Sequence, residues 1–138
     1  MPLSSIRLTT SDRHRLFVLV ARADRAGALD RAHAVEFEEE LREAEVVAPS
    51  ETPPDLITMR TTFRIREITT GESSLCTLVY PEEADREQGR ISVLEPLGSA
   101  VLGKRAGDTI DISLPGASRR VWIDEILFQP EAAGRYDL

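Results

Sequence analysis

The chain has 138 residues, of which 41% are hydrophobic and 30% charged, and its formal net charge is −7. That composition supports a packed core and excludes global disorder, and the length suits one ordinary domain or two small units. An acidic chain is repelled by phosphate backbones, so direct DNA binding by the chain alone is disfavoured.

Residues 1–10 carry no charged-then-apolar leader pattern, and no apolar run approaches the ~20 residues that cross a bilayer; the expectation is a cytoplasmic protein without a membrane segment. A first helix is predicted over 11–26. Ser11 or Thr9 can cap it, Asp12 suits its first turn, and Leu16, Leu19, Val20 and Ala23 form one apolar stripe. Gly27 breaks the pattern. A second helix is predicted from Leu29 to Val47, with Ala34, Phe37, Leu41 and Ala44 at the spacing of a coiled-coil seam. The two must fold back as an antiparallel hairpin, residues 1–48, with an Arg-rich first helix facing a Glu-rich second. Residues 49–55, with three prolines, read as a linker.

From Ile57 the period becomes two. Ile57, Met59, Thr61, Phe63 and Ile65 alternate with polar residues, predicting a half-buried strand that turns Arg60, Arg64 and Arg66 outward. Two readings stand for those arginines: a solvated outer face, or a docking surface for an acidic partner. Further strands are predicted at Ser74–Tyr80, Ile91–Leu94, Thr109–Leu114 and Arg119–Phe128, with a short helix over Leu97–Lys104. Gln129–Leu138 is expected to be a loosely packed strap. The fold class is thus α+β: a helical hairpin followed by a small β domain over 56–138 with five strands and one short helix.

Little chemistry is written in these residues. Cys76 is the only cysteine, which excludes an intrachain disulfide, and its apolar run predicts a buried filler. His14 and His33 lack metal-ligand spacing, and no nucleophile elbow, P-loop or dinucleotide fingerprint is present. The pattern predicts a binding protein with no catalytic residues, no metal site and no cofactor. It leaves the oligomeric state open.

The run Ile91-Ser92-Val93-Leu94-Glu95-Pro96, then Ala100-Val101-Leu102-Gly103-Lys104, Gly107-Asp108 and Leu114-Pro115-Gly116, resembles the C-terminal domain of the Gre transcript-cleavage factors. The segments Pro53–Met59, Thr77–Pro81 and Gln129–Gly134 resemble the Gre-related regulators of nucleoside diphosphate kinase. The resemblance implies an FKBP-like β domain that binds RNA polymerase near its secondary channel, with Leu94, Glu95, Pro96 and Leu97 in the contact. Leu94 stands where the family has an acidic residue and Glu95 where it has Ser, so only Pro96 matches there. A kinase effect would be indirect, since no nucleotide motif is present.

Gre factors reach the active centre with a long coiled coil whose tip carboxylates help hold magnesium. Here a first helix of 14–16 residues spans about 21–24 Å. Asp24 and Asp30 flank its tip, with Arg25 between them. The expectation is a regulator that competes with Gre factors without stimulating cleavage. An FKBP-like peptide-binding or isomerase module and a cleavage factor proper are the alternatives.

Overall fold

The computed structural model describes residues 6–136, the side chain of Ser113 apart. The chain divides into two compact units, Met1–Glu51 and Thr52–Leu138. Together they make a mixed α+β architecture, a helical N-terminal region followed by a sheet domain. No described helix is long and apolar enough to cross a membrane.

The first unit runs β1 (Arg7–Thr9), α1 (Thr10–Ala26), α2 (Arg31–Glu43) and β2 (Glu45–Val47). Thr9 caps α1, its Oγ accepting from the Asp12 N–H at 3.0 Å. Gly27, at φ 73°, closes that helix in the left-handed conformation that glycine adopts without a Cβ clash. Leu16, Val20 and Ala23 of α1 and Ala34, Phe37 and Leu41 of α2 are buried, and the two helices pack together. Arg13 Nε donates to the Leu41 carbonyl at 2.8 Å, tying the start of α1 to the end of α2.

The second helix was expected to reach Val47, but it ends at Glu43. Ala44 turns extended at ψ 143°, so it leaves the predicted seam. Val46 and Val47 are β-branched and lose rotamer freedom in a helix. They pair instead in parallel with β1, Leu8 opposite Val46 and Thr9 opposite Val47.

The second unit consists of β3 (Thr62–Glu67), β4 (Ser73–Val79), β5 (Arg90–Ser92), α3 (Pro96–Val101), β6 (Thr109–Leu114) and β7 (Ala117–Phe128). Its strands form one five-stranded sheet in the order β5-β4-β3-β7-β6. β4 and β5 are parallel and the other pairs antiparallel. Phe63, Ile65, Cys76, Leu78, Val121 and Ile123 recur at every second position of their strands and are buried.

Four sequence expectations change here. The strand expected from Ile57 starts only at Thr62. The Thr58 N–H donates to Thr61 Oγ at 3.0 Å and the Thr61 N–H returns to the Thr58 carbonyl at 3.2 Å. This closed turn puts Arg60 at φ 66° and breaks the alternation. The short helix spans Pro96–Val101, shifted from Leu97–Lys104, because proline suits a first helical position. The expected linker 49–55 is a 3-10 turn at Pro49–Glu51, whereas Asp55 ion-pairs with Arg105 at 2.8 Å in the second unit. The tail is not loose at its start: Gln129, Pro130 and Glu131 are buried. Gln129 Nε2 donates to the carbonyls of Pro53 at 2.8 Å and Leu56 at 2.7 Å, and Glu131 accepts from the Thr58 hydroxyl at 2.7 Å.

Candidate functional site

The step from β5 into α3 is a tightly built turn. The Ser92 hydroxyl accepts from the Leu94 N–H at 3.1 Å, and the Glu95 N–H donates to the Ser92 carbonyl at 3.1 Å. The Glu95 carboxylate folds back to accept from the Ser92 N–H at 3.1 Å. Its other oxygen takes the Arg86 guanidinium at 2.5 Å. Charge-assisted bonds on both oxygens fix the Glu95 side chain, so its role here is to hold the loop in shape. Pro96 follows as the first residue of α3 and is exposed, while Leu94 and Leu97 are half-buried.

Gly98 makes this turn possible. A Cβ at that position would lie 2.0 Å from the Ser92 carbonyl oxygen and 3.0 Å from the Val93 Cα, both backbone atoms. No side chain fits where the first turn of α3 crosses the end of β5.

Pro96 and Leu97 help to line a groove of about 430 Å³. Ile65, Cys76, Ile91, Ile112 and Leu114 give it apolar walls, with Arg86, Glu95 and Arg119 also lining it. Arg119 is held by the Glu67 carboxylate at 3.0 and 3.1 Å. Cys76 is buried, as expected, and burial raises its thiol to about 11, with Arg119 opposing the shift. A thiol so placed is protonated at neutral pH and is a poor nucleophile. What the groove offers is a mixed surface, apolar walls with the charged groups of Arg86, Glu95 and Arg119 among them.

The three arginines predicted on one strand face are not equivalent. Arg60 lies outside β3, its guanidinium bonded to both Glu83 oxygens at 2.9–3.2 Å and stacked 5.2 Å over the Tyr80 ring. That hydrogen bonding holds the Glu83 carboxyl below the usual carboxylate range. Arg64 and Arg66 do share a face of β3. Arg64 pairs with Glu125, and Arg66 lies 3.7 Å from Asp124 and 6.0 Å over the Trp122 ring. Each guanidinium thus has a carboxylate beside it, which lowers the positive potential that sequence reading assigned to the face.

At the hairpin tip, Asp24 pairs with Arg31 and not with the adjacent Arg25. Asp30 caps α2, accepting from the His33 N–H at 3.0 Å and from its ring Nδ1 at 2.7 Å. These contacts hold the Asp30 carboxyl below its ordinary value. The two carboxylates therefore serve separate partners.

The family described as "Transcription elongation factor, GreA/GreB, C-term" matches residues 50–128, more than half of the chain and the whole of this site. The chain belongs to the GreA/GreB family, whose members include regulators related to transcription elongation. It is 36% identical over 133 residues to the "Regulator of nucleoside diphosphate kinase" of Escherichia coli (strain K12), covering 96% of each chain. It is 34% identical over 106 residues to transcription elongation factor GreA of Brucella canis, covering 77% of this chain and 68% of that one. Among solved structures it is similar to a prokaryotic transcription elongation factor GreA/GreB from Nitrosomonas europaea. There the TM-score is 0.73 and the identity 37%, covering 91% of this chain and 100% of the other.

Proposed function

We propose that this protein is a cytoplasmic transcription regulator that docks on RNA polymerase near the secondary channel and competes there with Gre-type factors without stimulating transcript cleavage. The observation that carries the reading is the preformed step Leu94-Glu95-Pro96-Leu97, in a family of elongation factors, with exposed Pro96 lining a groove that has apolar walls. A turn locked by Ser92, Glu95 and Gly98 loses little conformational freedom on binding, which favours docking. Within the reading, the second unit is an FKBP-like docking domain and the helical pair a short coiled coil.

The absence of cleavage is inferred from reach and chemistry. α1 has 17 residues and α2 has 13. At about 1.5 Å per residue, neither exceeds about 26 Å. Asp24 and Asp30, the carboxylates that would serve a Mg²⁺, are committed to Arg31 and His33. Arg60, Arg64 and Arg66 belong at most to the edge of the contact, since each is matched by a carboxylate. The test is co-purification with core polymerase, followed by a backtracked-complex assay. The protein alone should leave cleavage at background, and in excess it should slow Gre-stimulated cleavage. Failure to bind polymerase would turn attention to the groove as a peptide-binding module.

A further inference from the structure

The helical unit carries a feature that docking through the sheet domain does not use. The face of α1 opposite its buried side presents Phe17, Val18 and Ala21, with His14, Arg22 and Arg25 beside them around a shallow recess. These residues fall at i, i+3, i+4, i+7, i+8 and i+11, one continuous stripe. Val18 keeps 40% of its surface exposed, and Arg22 and Arg25 are exposed without an ion-pair partner among the described residues. An apolar row bordered by unpaired cations fits an amphipathic helix with acidic edges.

α2 of this chain answers the charges of that row: its own apolar side is already buried, and its outer side carries carboxylates with one exposed apolar neighbour. α2 buries Ala34, Phe37 and Leu41, and the opposite side presents Glu36, Glu39 and Glu43, all exposed and without a described ion-pair partner. Val35, 39% exposed, flanks that row. Glu36 to Glu43 covers two turns, the distance that separates His14 or Arg15 from Arg22 on α1. The two outer faces are therefore alike in length and opposite in charge.

We propose that the outer stripe of α1 docks the acidic outer face of α2 from a second copy of this chain. Unlike faces meet, so the contact is heterologous: each added copy leaves one basic and one acidic face available, and assembly propagates or closes into a ring. Two helix faces alone bury less than a standard interface, so association is weak and belongs to high local concentration. Exposed charges provide much of the match, and salt opposes it.

Charge exchange tests this. The weight-average mass of the wild type, followed by sedimentation equilibrium at low salt, should rise from one protomer towards two or more between about 10 µM and about 1 mM. Raising salt to about 0.5 M should return it to one. R22E/R25E leaves two acidic outer faces and E36K/E39K two basic ones, so each variant alone should remain monomeric. An equimolar mixture of the two should associate again, because the exchanged charges are complementary. Melting of each variant by circular dichroism establishes that it is folded; if either unfolds, the single changes R22E and E39K take its place. A wild type that stays monomeric throughout would overturn the proposal. So would variants that associate as strongly as the wild type, since another surface would then be responsible.

Discussion

Replacing Gly98 by alanine tests the geometry on which the proposed docking site rests. The added Cβ would sit 2.0 Å from the Ser92 carbonyl oxygen, against an ordinary contact of about 3.4 Å or more. The two backbones must therefore part by about 1.4 Å, and neither the end of β5 nor the start of α3 can yield by rotating a side chain. Overpacking of this kind costs about 1–3 kcal/mol, and a backbone obstacle places it at the upper end. Alanine recovers about 1 kcal/mol relative to glycine in a helix, leaving a net loss of about 2 kcal/mol. For a domain of this size that lowers Tm by about 10 °C. The same displacement should tilt Pro96 away from the groove, so polymerase affinity should fall even well below the melting transition. Thermal denaturation by circular dichroism and a polymerase binding titration at low temperature read the two effects. A Gly98→Ala protein that melts and binds like the wild type would mean that the close approach of α3 to Ser92 does not shape this site.

Pro96→Arg should weaken polymerase binding at least tenfold with a nearly unchanged melting temperature, because Pro96 is exposed at the first position of α3, where arginine is also accepted. Asp24→Asn and Asp30→Asn should leave inhibition of Gre-stimulated cleavage intact, measured on backtracked complexes, since asparagine still caps α2 and docking lies elsewhere. Arg64→Gln with Arg66→Gln should change binding less than threefold and leave its salt dependence alone; a much shallower salt slope would restore these arginines to the contact. Glu83 is held below its ordinary value by Arg60, so it stabilises the fold above the carboxylate range and less as pH falls through its folded value. Glu83→Gln should therefore lower stability modestly at pH 7, by less than about 1 kcal/mol for this part-exposed pair, and denaturant titrations should show the gap closing on acidification.

What the residues determine by themselves is whatever depends on near neighbours. The period of 3.6 in Leu16, Val20 and Ala23, the stop at Gly27 and the period of two around Phe63 and Ile65 are local, so two helices followed by a sheet domain follow directly. β6 lies where its alternation and the Pro115-Gly116 turn place it. The order Ile91 to Gly116 was also enough to indicate the Gre family. The tertiary structure decided the matters of choice among distant partners. Val46 and Val47 are compatible with a helix end until Leu8 and Thr9 offer a strand to pair with. Arg60 keeps its place in an alternating string, yet the Thr58–Thr61 turn and the Glu83 carboxylate take it off the strand. Asp24 has Arg25 beside it in sequence and chooses Arg31, because adjacent helical residues point apart whereas the tip folds Arg31 back. The groove draws on β3, β4, β5, β6 and β7, and no local pattern specifies which of their apolar side chains will share a wall. Periodicity is encoded within a few residues, but a binding surface is set by long-range packing, and that is decided only when the whole sheet has closed around its core.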